Sequence, residues 1–483
     1  MNIRSILSIV GTLLFFLGLA MVFPLACSVY FGDGDLQAIF LSVIITCAAG
    51  ALLYLLCRPT EGKIALTHRE GFLVVALGWF LAGIFGSLPY LFQGVVTTLS
   101  DAFFESLSGF TTTGATVLNN IEAIPHGILL WRSLTQWLGG MGIIVLSIAI
   151  LPLLGVGGMQ LYKAELPSPV KDKLTPRVKE TARTLWIVYI IISTVEFILL
   201  LFGGMDVFNA LCHTFTTMAT GGFSTSDAGV GGFHSAYIDI VITTFMLIAG
   251  INFTLHYALL MGRLKLIKRS SELRFYLAMI IGAVILVTFN LRVHVFEEAG
   301  TALRYASFQV VSVVTTTGYA TANFNEWPAL SKMVLLFLMF IGGSAGSTGG
   351  SIKCLRILLI LKHSYMELYR LIHPHAVRGV KLDSKPVPNE VMASIWGFFM
   401  LYLTMTVVAA VILSSLGLDM MTAFSAVAAT MGNVGPGFGA VNAFSTYADI
   451  PSFGKWVLSF CMLAGRLEIY TVIILFVPEF WKR

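Results

Sequence analysis

Charged residues are scarce in this sequence. Lys, Arg, Asp and Glu make up only 11% of its 483 residues, and the mean hydropathy is +0.86. A soluble domain needs about 25% charged residues to cover its surface, so the composition excludes one and indicates an integral membrane protein. Apolar runs of roughly 20 residues recur, each long enough to cross about 30 Å of hydrocarbon. Strand-like alternation is absent, so we predict an all-α bundle in a lipid bilayer and not a β-barrel.

Several chemical signatures are also missing. The six cysteines show no Cys-x-x-Cys spacing, so neither a zinc site nor a disulfide framework is predicted. No Ser/His/Asp set, carboxylate pair or metal cluster stands out, so we expect no enzyme and no covalently bound cofactor. The net charge of +5 is modest, and the basic residues cluster in loops, so nucleic acid is not an expected partner.

The distribution of basic residues predicts the topology. We predict ten spanning helices, at residues 5–30, 36–57, 72–93, 127–153, 184–204, 237–262, 274–292, 331–361, 391–416 and 454–478. The first follows a lone Arg4 and lacks a clear cleavage site, so we expect a retained helix and not a signal peptide. Loops at 58–71, 160–183, 263–274 and 353–385, with the two termini, hold 24 of the 30 Lys and Arg residues and fall on one side. The positive-inside rule makes that side, and both termini, cytoplasmic.

The charges of the two faces suggest different roles. The opposite side carries seven acidic residues that suit a mouth concentrating cations: Asp33, Asp35, Asp101, Asp206, Glu297, Glu298 and Asp419. On the cytoplasmic side, the basic loops from Lys163 to Arg183 and from Lys362 to Lys385 either only set topology or also dock a partner.

Four segments remain outside the predicted spans, at residues 100–125, 205–235, 300–328 and 419–450. Each begins with an apolar stretch of about a dozen residues, which is too short to span a bilayer. A polar turn follows each stretch. This pattern is typical of a re-entrant loop, because non-helical backbone at membrane depth is tolerated only where it is buried in protein or lines water.

The four segments are versions of one repeat. Aligned on one glycine each, they read FTTTGAT, MATGGFS, VTTTGYA and MGNVGPG around Gly114, Gly222, Gly318 and Gly435. Twelve residues before the glycine stand Ala102, Ala210, Ala306 and Ala423, and six before it stand Ser108, Thr216, Ser312 and Ala429. Nine residues before three of the glycines stand Glu105, His213 and Gln309, which we interpret as bracing the short helices.

The repeats all run in the same direction, so four can surround one axis. We therefore predict an all-α integral membrane protein with four pseudo-symmetric helix–pore-loop–helix repeats around a central pore, plus two N-terminal transmembrane helices. The predicted divisions are 1–70 for the N-terminal helices, then 71–181, 182–270, 271–387 and 388–483 for the repeats. The alternative is that small residues in the turns merely pack helices together.

The chemistry of the turns favours an ion filter. Rings of backbone carbonyls can replace the water around a potassium ion, and glycine adopts the required backbone angles at little steric cost. Each preceding short helix directs its negative C-terminal end toward the turn, which favours a cation. We name the four turns the candidate filter segments; they consist of Thr112, Thr113 and Gly114; Thr220, Gly221 and Gly222; Thr316, Thr317 and Gly318; and Asn433, Val434 and Gly435.

A glycine-rich stretch interrupts the predicted span at 331–361. This stretch, GGSAGSTGGSIK at residues 342–353, is named the glycine loop. It lacks the residue order of a nucleotide-binding loop, and each glycine costs a helix about 1 kcal/mol relative to alanine. We interpret it as a flexible gate below the filter; the alternative is close helix packing through small residues. The predicted gate residues in it are Gly342, Gly343, Gly346, Gly349 and Gly350.

Arg466 lies inside the last predicted span, about mid-membrane, and completes the candidate gate. An arginine at this depth is costly without a partner or water, so a functional role is the default. A positive charge facing the pore would repel potassium. The alternative is a structural ion pair with Glu468 or another acid; because residues two apart do not face each other on one helix, we expect Glu468 to pair elsewhere.

Taken together, these motifs resemble the Trk/Ktr/HKT superfamily of potassium transporters over essentially the whole chain. The carrying stretches are DAFFESLSGFTTTGAT (101–116), TFTTMATGGFSTSDA (214–228), VVSVVTTTGYAT (310–321), GGSAGSTGGSIK (342–353), GNVGPGFG (432–439) and GRLEIYT (465–471). In this superfamily a serine at the first filter position goes with sodium-conducting plant relatives, so Gly114 implies potassium. The fourth segment departs most from the Thr-x-Gly pattern, at Asn433, Val434 and Pro436.

The resemblance further implies a homodimer in a bacterial inner membrane. It also implies a cytoplasmic ring of TrkA-like regulatory subunits that bind a nucleotide, so no nucleotide is expected on this chain. The residues leave three functions open: a potassium-selective pore gated from the cytoplasm, a proton- or sodium-coupled potassium symporter on the same scaffold, and a receptor or assembly subunit whose repeats only pack.

Overall fold

The computed structural model describes residues 1–58, 67–149, 174–375 and 379–482. Most of the predicted basic loops at 58–71 and 160–183, and the end of the predicted span at 127–153, lie outside these residues. The described chain is mostly helical, and its strands are limited to two pairs of two residues. The predicted all-α class is therefore confirmed.

Three helices form the N-terminal region: α1 (Ile3–Ala20), α2 (Val22–Phe31) and α3 (Leu36–Cys57). The first two continue each other as one span, and α1 packs along α3. The backbones of α1 and α3 touch, because a Cβ atom on Gly11 would lie 2.7 Å from the Tyr54 nitrogen. Small residues allow such close approach in membranes. The predicted pair of N-terminal transmembrane helices is present.

Four repeats follow, each with a spanning helix, a short helix and a returning helix. Repeat 1 comprises α4 (His68–Gly86), α5 (Leu88–Gln93), α6 (Leu99–Phe110) and α7 (His126–Ala149). Repeat 2 comprises α8 (Leu174–Phe202), α9 (Val207–Met218), α10 (Ala236–Ala249), α11 (Phe253–Leu260) and α12 (Leu264–Arg269). Repeat 3 comprises α13 (Ser271–His294), α14 (Ala299–Val314), α15 (Ala329–Leu338) and α16 (Cys354–Ile372). Repeat 4 comprises α17 (Asn389–Ser415), α18 (Met420–Met431), α19 (Ser452–Arg466), α20 (Ile469–Ile473) and α21 (Pro478–Trp481).

The short helices α6, α9, α14 and α18 are the ones predicted within the four segments left over from the spans. Their lengths are 12, 12, 16 and 12 residues, so none can cross a bilayer. Thr98, Asp206 and Asp419 cap α6, α9 and α18 by accepting a backbone N–H three residues on. These caps fix where the short helices begin. Single 3-10 turns follow them at Ile121–Ala123, Gly229–Phe233, Phe324–Glu326 and Gly439–Val441.

Seven of the ten predicted spans are helical runs of spanning length within the described residues, and two others are pairs of bent helices and not single straight ones. The span at 237–262 bends by 100° between α10 and α11, and the span at 454–478 bends by 118° after Arg466. The remaining span, at 331–361, is interrupted by the glycine loop as predicted, and the ends of the loop pair as parallel strands β1 (Ile341–Gly342) and β2 (Ile352–Lys353).

Tertiary contacts explain the break between α10 and α11. The carbonyl oxygen of Gly250 accepts the Ser344 N–H at 2.9 Å, and the Ala249 carbonyl accepts the Thr348 N–H at 3.4 Å. The glycine loop thus satisfies carbonyls that a continuous helix would have bonded internally.

The predicted basic loop at 353–385 is also wrong in part. It contains the helix α16 and a hairpin of β3 (Lys381–Leu382) and β4 (Lys385–Pro386). Lys353 and Arg356 are 9% and 4% exposed, so two of its seven basic residues are interior groups and not surface charges. The hairpin packs through Val380, Leu382 and Val387 on apolar residues of α16 and α17.

Candidate ion-conduction site

The four candidate filter segments share one backbone conformation. The residue two before each aligned glycine has a left-handed φ: 51° at Thr112, 52° at Thr220, 58° at Thr316 and 53° at Asn433. The aligned glycines follow with φ of 80°, 77°, 80° and 98°. Left-handed φ is rare outside glycine, so four matched occurrences identify one repeated local structure.

The small residue six before each glycine holds this conformation through its carbonyl. The N–H of the residue preceding the glycine donates to Ser108, Thr216, Ser312 and Ala429 at 2.8, 2.8, 2.9 and 2.7 Å. The bond uses backbone atoms only, which is why Ala429 can replace a hydroxyl residue in the fourth segment.

The segments meet one another in cyclic order. A Cβ atom added to Gly114 would overlap the Gly221 carbonyl oxygen of the second segment. In the same way Gly222 faces Thr317, Gly318 faces Val434, and Gly435 returns to Thr113 of the first segment. The four segments therefore close a ring, and only glycine leaves room for the neighbouring carbonyl.

The divergent fourth segment takes part in this ring through its own side chains. The Asn433 amide donates to the Thr113 hydroxyl at 2.9 Å and to the Met462 carbonyl at 3.1 Å. The Gly435 carbonyl accepts the Tyr447 hydroxyl at 2.7 Å. Asn433 thus cross-links segments four and one.

A cavity of about 320 Å³ opens on one side of the ring. It touches all four aligned glycines and is lined by residues following each segment, including Thr116, Ser224, Ala320 and Asn442. Asp227 lines it too, accepting the Ile121 N–H at 2.7 Å. Sequence reasoning missed this acid.

The acids predicted to attract cations at this mouth are partly used in structural contacts. Asp101 pairs with Lys455 at 2.5 Å, and Asp33 pairs with His126 at 2.5 Å. Asp35 is fully buried, where it accepts the Ile128 N–H at 3.1 Å. Neighbouring helices therefore supply partners for these three acids, which stabilise the packing on this side of the molecule.

The glycine loop covers the opposite side of the ring. The Gly350 N–H donates to the Thr316 hydroxyl at 2.6 Å, and a Cβ on Gly350 would lie 2.9 Å from the Asn433 Cβ. The Thr348 hydroxyl donates to the Met218 carbonyl, at the end of α9, at 3.1 Å. The loop thus contacts three repeats directly beneath the candidate filter segments.

Arg466 contacts this loop. It is 2% exposed, and its Nη1 donates to the Thr348 carbonyl at 2.8 Å. Among the described residues, its Nε and Nη2 have no hydrogen-bond partner. The cavity beside Arg466 and Gly350 measures only about 20 Å³, and a water needs roughly 10–15 Å³ of this kind of volume. This cavity therefore has room for about one water.

Glu468 pairs elsewhere, as expected. Its carboxylate lies 2.6 Å from Nη1 of Arg356, whose guanidinium also stacks 3.9 Å from the Phe398 ring centroid. Arg466 and Glu468 do not lie on one helix, as the spacing argument assumed. The helix ends at Arg466, and Glu468 adopts a φ of 62°. The chain turns there, so the two side chains diverge.

Two polar residues of α7 that sequence reasoning missed support the second filter segment. Arg132 pairs with Glu105 at 2.7 Å and donates to the Ser224 carbonyl at 2.9 Å. Gln136 donates to the Gly221 carbonyl at 2.8 Å and accepts the Phe223 N–H at 3.2 Å. Their spacing of four residues within an apolar span was the available signal, since polar residues in membrane helices are costly.

Bracing of the short helices holds for two of the three predicted residues. Glu105 accepts the Val117 N–H at 2.9 Å, and His213 contacts the Ser224 hydroxyl at 3.1 Å. Gln309 is buried, but its amide has no hydrogen-bond partner within the described residues, so its bracing role stays a prediction.

This fold and site define a multi-pass membrane protein with a pseudo-fourfold ring of re-entrant segments. The sequence profile of the TrkH family, described as "Cation transport protein", matches residues 35–483. The chain is 44% identical over 486 residues to the Trk system potassium uptake protein TrkH of Salmonella typhimurium, covering 100% of each. It is 45% identical to the protein of that name from Halomonas elongata, again over 100% of each.

A solved structure agrees with these relatives. The crystal structure of the potassium transporter TrkH from Vibrio parahaemolyticus matches with a TM-score of 0.92 and 39% identity, covering 100% of both chains. The chain therefore belongs to the TrkH family of cation transport proteins. This membership confirms the expected superfamily and the expectation of a transporter and not an enzyme.

Proposed function

We propose that this chain is a potassium uptake protein in which the ring of four candidate filter segments selects potassium. The observation that carries the proposal is the cyclic meeting of four matched turns, each with a left-handed residue and a glycine facing the next carbonyl. Such a ring can present carbonyl and hydroxyl oxygens to a dehydrated cation. The relatives described above are named as potassium uptake proteins.

The glycine loop and Arg466 act as the gate in this proposal. The loop lies beneath Thr316 and Asn433, and Arg466 is bonded to it through the Thr348 carbonyl. A buried guanidinium beside a cation path raises the barrier, because a low dielectric strengthens the repulsion. Opening requires both the loop and the charge to move aside.

We further propose a homodimer in a bacterial inner membrane, with both termini in the cytoplasm and a TrkA-like nucleotide-binding subunit on that side. The family membership and the basic residues Arg263, Lys265, Lys268 and Arg269 between α11 and α13 support this orientation.

Ion flux from the purified protein in liposomes tests the proposal. We expect uptake of potassium, or of its analogue rubidium, in clear excess over sodium. A protein whose repeats only pack would carry neither ion, and equal potassium and sodium fluxes would refute a potassium filter.

The reversal potential across a proton or sodium gradient then separates a pore from a coupled symporter. For a pore, we expect the reversal potential to follow the potassium gradient alone. A shift with the proton or sodium gradient would instead establish coupled transport on the same scaffold.

A further inference from the structure

The glycine loop has a second attachment, on the side away from Arg466. The carboxylate of Glu272, in the first turn of α13, accepts the backbone N–H of Ala345 at 2.6 Å. Ala345 lies in the middle of the loop, between the glycines at 343 and 346. A carboxylate bonded to a backbone N–H is a charge-assisted contact, roughly twice as strong as a neutral one.

The surroundings of Glu272 tie it to the loop and not to a surface partner. The thiol of Cys354, the first residue of α16, lies 3.6 Å from the same carboxylate oxygen. That thiol also contacts the Ser344 hydroxyl at 3.8 Å, and the Cys354 N–H donates to the Gly343 carbonyl at 3.1 Å. Glu272 therefore sits where both ends of the loop converge.

The cytoplasmic hairpin reaches the same point. Asp383, at the tip between β3 and β4, accepts the N–H of Ser271, the residue next to Glu272, at 2.8 Å. Lys362 of α16 donates to the Lys381 carbonyl of the hairpin at 3.0 Å. Two hydrogen bonds, Asp383 to Ser271 and Glu272 to Ala345, thus join the exposed tip of the hairpin to the loop beneath the candidate filter segments.

We propose that Glu272 is a positioning residue that latches the glycine loop closed, and that the β3–β4 hairpin holds this latch in place through Asp383. Displacing the hairpin frees the start of α13, moves the carboxylate from Ala345, and releases the loop. Only the expected change in flux rests on the proposed gating role of the loop. The latch itself concerns the position of the loop and does not depend on that role.

Thiol labelling of Cys354 reports movement of the glycine loop. Because Glu272 itself contacts this thiol, Asp383→Ala, which leaves that contact in place, separates loop movement from the direct loss of a neighbour. Cys354 is 0% exposed, and it becomes accessible to a small maleimide when the loop moves. We expect Glu272→Ala to speed Cys354 labelling about tenfold, equivalent to about 1.4 kcal/mol. The labelling rate of Glu272→Gln should lie between those of Glu272→Ala and the parent. Labelled peptides are quantified by mass spectrometry. Buried Cys212, on α9, reports whether the fold is intact, since its labelling stays slow in a folded variant.

Glu390→Ala is the matched control. Glu390 also lies in the first turn of a membrane helix, α17, but its side chain is exposed. Its removal changes the charge at a helix N-terminus without touching the loop. We expect parental Cys354 labelling in this variant. Unchanged labelling in a folded Glu272→Ala protein, or equal acceleration in Glu390→Ala, would overturn the latch.

Potassium flux separates failure of the latch from failure of the proposed gate. We expect Glu272→Ala to raise flux along with labelling, without changing the preference for potassium over sodium. Faster labelling in both Glu272→Ala and Asp383→Ala, with unchanged flux, means that the latch holds the loop but the loop is not the gate. The hairpin step is tested by Asp383→Ala, which we expect to speed labelling in the parent but to add nothing in the Glu272→Ala background. Additive effects would refute the connection through Asp383.

Discussion

Replacing Gly114 by serine tests whether the candidate filter segments select the ion. The new Cβ would lie well inside 3.0 Å of the Gly221 carbonyl oxygen, which must retreat by about 1 Å before a real contact is possible. Serine also has to adopt a φ of 80°, at about 1–2 kcal/mol. Overpacking of this kind costs a further 1–3 kcal/mol or so. One of the four carbonyl walls is therefore displaced or strained.

We expect the Gly114→Ser variant to admit more sodium, lowering the potassium-to-sodium permeability ratio by about tenfold, or about 1.4 kcal/mol. The ratio is measured from competing fluxes in liposomes containing the purified protein. Gly94→Ser is the matched control, because Gly94 has a φ of 72° but nothing within 4 Å of an added Cβ. It carries the same backbone cost without the overlap, so its ratio stays parental.

An unchanged permeability ratio in folded Gly114→Ser protein would refute the filter assignment. A ratio that falls equally in Gly94→Ser would refute the reasoning from overlap, since backbone strain alone would then explain the effect.

Three further predictions concern the gate and the ring's supports. Deleting residues 346–350 removes the contacts that cover the inner side of the ring, so flux should rise with unchanged selectivity; lower flux in folded protein would instead support a packing role. Arg466→Ala should speed potassium uptake in liposomes, while Arg466→Lys, which keeps a charge and a donor, should remain near the parent. If the alanine variant folds, keeps its oligomeric state and conducts no faster, Arg466 is structural. Glu105→Gln leaves buried Arg132 without its ion-pair partner, so thermal or denaturant unfolding should reveal a loss of about 3–5 kcal/mol; parental stability would show that other contacts compensate.

The candidate filter segments were predictable because their geometry is local. Left-handed backbone favours glycine, and the bond to the residue six before each glycine is formed within one segment. Both requirements are visible in the sequence, as a glycine and a small residue six positions before it. Repetition of that pattern four times predicted the fold class, even though the fourth segment differs in its side chains.

The helix breaks were not predictable in the same way. The stretches at 237–262 and 454–478 have the length and apolar character of single spans. The first bends where a distant segment compensates for the lost helical bonds, since the glycine loop donates to the Gly250 carbonyl. The residues around Gly250 do not reveal that its hydrogen-bond partner, Ser344, lies almost a hundred residues further along the chain.

By itself, the sequence determined that this chain resides in a membrane, that it contains four re-entrant repeats, and that glycine must occupy four turns. Each follows from hydrophobicity or backbone conformation, which depend on residues close together in the chain. Only the tertiary structure decided the order in which the turns close a ring, the pairing of Glu468 with Arg356, and the attachment of the glycine loop to Arg466 and Glu272. These contacts join residues far apart in sequence, and their geometry exists only once the helices have packed.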